Sequence, residues 1–117
     1  MDTLLTTPDR TSLQGQRDYA LLLFLYNTGA RATEAAQTNV GALRLESSPA
    51  SVEFIGKGRK VRLFPLWSHT VDILRGLLGS RLNGPSNTPV FLNVRRQPMT
   101  RFGIHTLVER TVIILAT

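Results

Sequence analysis

Seven consecutive apolar residues, Ala20-Leu21-Leu22-Leu23-Phe24-Leu25-Tyr26, constrain this 117-residue chain more than any other feature. They fall far short of the roughly 20 residues that a membrane span requires, so they must be buried inside protein. A helix that is apolar on every face is enclosed on every face. A strand competes for a run of this length, but four leucines and an alanine with no β-branching favour a helix. The pattern predicts a core helix that starts near Gly15 to Asp18 and runs to about Asn27. Thr28-Gly29 ends it, with Gly29 suited to the left-handed residue that closes a helix.

Shorter periodicities lie on either side. Pro8 marks a turn in the polar, Thr-rich N-terminal stretch. Arg31 to Gln37 reads as a short second helix, with Arg31 in its first turn. Ala42–Glu46, Ser51–Ile55 and Lys60–Phe64 each alternate apolar and polar residues. With Pro49 between the first two and Gly56-Lys57-Gly58-Arg59 joining the last two, they predict a three-stranded antiparallel sheet with a glycine-rich hairpin. Ser68 reads as the N-cap of a helix over His69–Leu82, in which Val71, Leu74, Leu77, Leu78 and Leu82 recur at helical spacing. Asn83–Asn87 is a loop, Val90–Leu92 a short extended piece, and Thr100 the cap of a last helix carrying Ile104, Leu107, Val108, Val112 and Leu115. The fold class is α+β, mainly α, with helices packed around a small sheet.

Charge narrows the function classes. Fourteen basic residues against eight acidic ones leave +6, and twelve of the fourteen are arginine. Arginine presents a planar fork to phosphate oxygens, so an anionic partner fits; a GC-rich coding preference is the alternative source of the arginine bias. The absence of cysteine excludes a disulfide scaffold, a zinc knuckle and a thiol nucleophile. The first ten residues carry Asp2 and Asp9 and have no signal-peptide core. The expectation is a cytoplasmic protein with no membrane partner.

Three clusters could carry chemistry. In Thr28-Gly29-Ala30-Arg31-Ala32-Thr33-Glu34, a glycine bend aims an arginine-bearing helix start, and Arg31 and Glu34 are spaced to pair. Such a guanidinium suits a phosphate; the plainer reading is a surface ion pair worth about 0.2–0.5 kcal/mol. In the Gly56–Leu66 hairpin, Lys57, Arg59, Lys60 and Arg62 fall within six positions. The spacing is not that of a Walker loop; the hairpin either meets DNA or is a solvated turn. The third cluster is the Asn93–Arg101 loop, with Arg95, Arg96 and Arg101. His69 and His105 stand alone and imply no metal site, no nucleophile elbow is present, and Tyr19 and Tyr26 read as packing residues.

In order along the chain, a buried helix, T-G-x-R-x-x-E and a hairpin reading G-K-G-x-K-x-R-x-x-P-L resemble the catalytic domain of the tyrosine recombinases, the phage-integrase family. The resemblance spans about Leu4 to Thr117. It implies that Arg31 is the arginine that binds the scissile phosphate, that Glu34 supports it, and that Lys57 is the general acid protonating the leaving 5′ oxygen. Arg59, Lys60 and Arg62 would be DNA-binding neighbours. Members of the family cut a strand by attack of a tyrosine, forming a 3′-phosphotyrosyl link and freeing a 5′ hydroxyl; a second strand's hydroxyl then attacks that link. No cofactor and no metal are implied, because the bond energy is held in the covalent intermediate. The implied partners are double-stranded DNA and other recombinase protomers.

The sequence also departs from the family pattern. Val108 stands where a His-x-x-Arg box starting at His105 would place arginine, and no tyrosine follows Tyr26. The nucleophile is therefore none of these residues. The expectation is that residues 1–117 form a partial catalytic domain truncated at the C-terminus, inactive alone, with an apolar face left exposed on the last helix. The rival readings are a non-catalytic DNA-binding module and a non-functional remnant of a mobile-element integrase.

Overall fold

The structure, a computed structural model, describes residues 12–116; the side chains of Lys57 and of residues 111–116 lie outside that description, as does the expected turn at Pro8. Helix α1 (Leu13–Thr28) leads into α2 (Ala32–Ala36) and a single 3-10 turn at Val40–Ala42. Strands β1 (Leu43–Arg44), β2 (Ser51–Ile55) and β3 (Val61–Pro65) follow, then α3 (Ser68–Leu78), a 3-10 turn over Gly79–Asn83, and α4 (Arg101–Ala116). Among the described residues no helix is long and apolar enough to cross a membrane.

The apolar run is helical and buried as its composition dictates. Tyr19 through Phe24 are all buried, and exposure begins only at Tyr26. Phe24 sits at the centre, edge-on to Phe54 of β2 at 6.0 Å and to Phe91 at 5.4 Å. Each such edge contact adds about 0.5–1.5 kcal/mol beyond the area it buries. Val52 and Phe54 from the sheet, Leu74 and Leu78 from α3, and Ile104 and Leu107 from α4 join this core, with Ala35, Val40, Leu66, Val90 and Met99 between them.

Helix α1 starts two residues before the expected range. Ser12 is its N-cap, its Oγ accepting from the Gly15 N–H at 2.9 Å. The C-terminal end is as expected: Gly29 is left-handed (φ 69°, ψ 19°), and its N–H donates to the Leu25 carbonyl at 2.8 Å.

The sheet is antiparallel in the order β1-β2-β3, with Val52 opposite Phe64 and Ile55 opposite Val61. Strand β2 has the expected limits, β3 is shifted by one residue, and β1 is cut to two residues because the chain turns away at Leu45. Ser68 is not a cap but the first residue of α3. Trp67 stands at the cap in extended conformation, its N–H held by Asn27 Oδ1 at 2.8 Å. The other end of the Asn27 amide donates to the Pro65 carbonyl at 3.1 Å, so one side chain ties the end of α1 to the β3–α3 link. The α-helical part of α3 stops at Leu78 instead of Leu82, and Leu82 belongs to the 3-10 turn. Thr100 does cap the last helix, its Oγ1 accepting from the Gly103 N–H at 3.1 Å.

On α4, Ile104 and Leu107 are buried while Phe102 is exposed; Val112 and Leu115 lie outside the described side chains. Tyr26 packs as expected, edge-on to Trp67 at 5.4 Å, but at the surface, half exposed.

Backbone proximity fixes one glycine. The Gly41 N–H donates to the Ser86 carbonyl at 2.8 Å, and a Cβ at position 41 would lie 2.7 Å from Ser86 Cβ and 2.9 Å from its carbonyl oxygen. Gly41→Ala should therefore destabilise the fold by about 1–3 kcal/mol through overpacking. Gly76→Ala, on α3 with open space around it, should stabilise by about 0.5–1 kcal/mol. Urea unfolding midpoints of the two variants should move in opposite directions.

Candidate nucleic-acid interface

The T-G-x-R-x-x-E segment is placed by the end of α1. Thr28 Oγ1 donates to the Phe24 carbonyl at 2.8 Å and accepts from the Ala30 N–H at 3.1 Å, fixing the bend on both sides of Gly29. Arg31 follows in extended conformation (φ −78°, ψ 158°) as the N-cap of α2, one position before the first turn where the sequence reading put it. The expected ion pair between the Arg31 and Glu34 side chains does not form. Glu34 Oε1 instead accepts from the Arg31 backbone N–H at 3.0 Å, the half of a capping box that a carboxylate can supply. The other half would need an acceptor on residue 31, which a guanidinium lacks. The Arg31 side chain is thus exposed and has no ion-pair partner among the described residues.

Glu34 has a second oxygen, and that oxygen reaches another element. Its Oε2 meets Arg62 of β3 at 2.5 Å. The two sequence clusters, 28 residues apart, are therefore joined through one carboxylate.

The hairpin tip between β2 and β3 is a tight 3-10 turn over Lys57–Arg59, closed by the Gly56 N–H donating to the Lys60 carbonyl at 2.7 Å. Gly58 and Arg59 both have positive φ, 75° and 61°. Glycine adopts that conformation freely, whereas for arginine it costs about 1–2 kcal/mol. Arg59 and Lys60 are exposed and have no ion-pair partner among the described residues. Lys57 lies in the same turn by its backbone.

Much of the remaining basic charge is already occupied. Arg17 pairs with the buried Asp18 and donates to the Leu92 carbonyl; Arg44 pairs with Glu53 and Arg75 with Glu46. Arg81 donates to the Pro89 and Val90 carbonyls, and burial together with the nearby Arg96 lowers its pKa from the ordinary value. Arg95 and Arg96 sit on a separate turn built by Asn93, whose Oδ1 accepts from the Arg95 and Gln97 N–H groups. Both histidines lie exposed on helices, each beside a polar partner. His69 Nε2 is 2.9 Å from the Tyr19 hydroxyl, and His105 Nε2 is 2.8 Å from Glu109. Beside Glu34 a groove of about 380 Å3 opens; its charged lining is Glu34 and Glu53, each already paired with an arginine.

Asn27 and the carboxylate bridge escaped sequence reasoning. Each joins residues 28 to 40 positions apart, and no local spacing signals such a pair.

Against known proteins, the model of the phage integrase family matches residues 1–115. A Sinorhizobium fredii protein named as an integrase/recombinase, y4rD, is 37% identical over 115 residues, covering 96% of this chain and 40% of that protein. The tyrosine recombinase XerD of Staphylococcus haemolyticus is 34% identical over 111 residues, covering 92% of this chain and 37% of that protein. The chain thus spans about two fifths of the curated relatives it matches. Among solved structures, XerA recombinase superposes with a TM-score of 0.73 at 21% identity, over 94% of this chain and 38% of that one. XerH recombinase, bound to its difH substrate before cleavage, superposes with a TM-score of 0.76 at 23% identity, over 97% of this chain and 34% of that one.

The strained tip offers a direct check. Arg59→Asn, which tolerates positive φ, should raise the melting temperature through a gain of up to about 1 kcal/mol, while removing one exposed positive charge.

Proposed function

The chain belongs to the phage integrase family, and from that premise we propose that it is the DNA-facing part of a site-specific tyrosine recombinase. The observation that carries this reading is the way the basic side chains divide. Arg17, Arg44, Arg62 and Arg75 are held by carboxylates, whereas other exposed cations have no ion pair among the described residues: Arg95, Arg96, Arg101 and Arg110 elsewhere, and Arg31, Arg59 and Lys60. The last three stand on the bend and the hairpin that Glu34 and Arg62 tie together. Unpaired arginines and a lysine on joined, backbone-fixed turns suit a phosphodiester, because they need not leave a carboxylate to meet it.

In this reading Arg31 binds the phosphate undergoing transfer and Glu34 holds the turn that presents it. In the whole recombinase Lys57, on the hairpin tip, would protonate the 5′ oxygen that departs when a tyrosine outside these 117 residues attacks the phosphorus. Positive charge at the phosphate offsets the charge that grows on its oxygens during attack. Double-stranded DNA is the partner required, and assembly with further protomers belongs to the whole recombinase. These 117 residues contain no His-x-x-Arg sequence, and their two tyrosines lie on α1. Tyr19 is buried against His69 and Tyr26 packs on Trp67. We therefore assign to this chain DNA binding without strand cleavage of its own.

Fluorescence anisotropy with a short DNA duplex across a salt series tests the proposal. Three or four phosphate contacts should give log K against log salt a slope of about −3. Arg59→Gln and Lys60→Gln should each make that slope shallower by about 0.9. Absence of binding at low salt, or binding indifferent to salt, would refute the reading.

A further inference from the structure

Among the hairpin cations with described side chains, Arg62 is the one held by an ion pair, and its surroundings set it apart from Arg59 and Lys60. On β3 it stands opposite Phe54, on the sheet face that carries Val52, Phe54 and Phe64, whereas Val61 and Leu63 occupy the opposite face. Its guanidinium carbon lies 5.4 Å from the centre of the Phe64 ring. Its Nε passes the root of the hairpin, 3.9 Å from where a Cβ on Gly56 would be. Its NH2 meets Glu34 Oε2, while Glu34 Oε1 holds the Arg31 N–H.

We infer that Arg62 is a positioning residue for the Arg31 turn and not a DNA contact: it holds Glu34, and Glu34 holds the backbone of Arg31. The inference rests on the DNA-facing reading above and deepens it by giving Arg62 a different task from Arg59 and Lys60. A phosphate that drew Arg62 away would have to displace Glu34, and Glu34 would then lose the partner that holds its Oε1 toward the Arg31 N–H. The Arg62 side chain is half exposed (52%) and the pair is open to screening, so its contribution is orientation more than stability. The line β3–Arg62–Glu34–Arg31 fixes the spacing between the hairpin and the bend, so the tip cations and Arg31 are presented together.

The test uses the full 117-residue chain as wild type, Arg62→Gln, Glu34→Gln, the double variant and Lys60→Gln, with Arg62→Lys as the conservative replacement. Glutamine at 34 keeps an oxygen for the Arg31 N–H and removes only the charge that holds Arg62. Two quantities are read: hydrogen exchange of the Arg31 amide without DNA, and DNA affinity across a salt series. Arg62→Gln should speed Arg31 exchange and weaken low-salt affinity by about fivefold, the size of a coupling between touching residues. It should leave the salt slope unchanged. The double variant should match either single one, and Arg62→Lys should recover part of the Arg31 protection. Lys60→Gln should do the reverse, making the slope shallower by about 0.9 with Arg31 exchange as in the wild type.

A slope loss near 0.9 in Arg62→Gln would make Arg62 a phosphate contact and overturn the inference. So would an Arg31 exchange rate indifferent to both Arg62→Gln and Arg62→Lys. Failure of the wild type to bind DNA would sink the DNA-facing reading separately, and the exchange comparison would still decide whether Arg62 positions the Arg31 turn.

Discussion

Burial of a helix with no polar face dictates the rest of the arrangement. The middle of α1 must be enclosed on all sides, and the chain spends its other elements doing so: two sheet residues, two from α3, two from α4, and the Val90-Phe91 pair from a loop. Phe24 shows the economy of the solution, since one ring contacts both the sheet and the loop. The helix can leave the core only where its composition changes, and that point is Thr28-Gly29. The first cation after the bend, Arg31, is therefore delivered to the surface at a place set by the core and not by its own contacts.

From that point the design changes from apolar packing to shared polar groups. Thr28, Asn27 and Glu34 each join two partners, and each partner is a backbone group or a fixed side chain. Apart from the buried bond from Thr28 to the Phe24 carbonyl, these bonds lie at or near the surface, where each contributes on the order of 1 kcal/mol at most. Their value is geometric. Asn27 fixes where β3 gives way to α3, and Glu34 fixes where the hairpin stands relative to the bend. The cations left without partners then project from a frame held at two points.

How much of this could be read from the sequence depended on whether the signal was local. The alternation in Ser51–Ile55 gave its strand to the residue, because period two is imposed by the pleat itself. Gly29 and Thr100 were legible because their jobs are done within four residues. The expected start near Gly15 to Asp18 leaves out Ser12, which lies before the apolar run and uses the Gly15 N–H as its capping partner. Ser68 was mistaken for a cap because a distant side chain, Asn27, had taken over that end of the helix. The pairing of Glu34 with Arg31 was half right: the spacing brings the residues together, but to the backbone, while the charge goes to a strand whose proximity no spacing reveals.

Strand β3 has one further consequence. It is the last strand in the order β1-β2-β3, and Val61 and Leu63 are more than half exposed, at 55% and 56%. An exposed edge with apolar side chains is a template for pairing with another copy. Arg59 and Lys60, exposed and without ion pairs among the described residues, set positive charge at the start of that edge, which is how natural edges keep copies apart. A polyanion laid along the hairpin neutralises part of that protection. A polyanion that just balances the charge of the chain would therefore bring copies closest to pairing along this edge, which is unpaired among the described residues, and an excess of either component would restore dispersion.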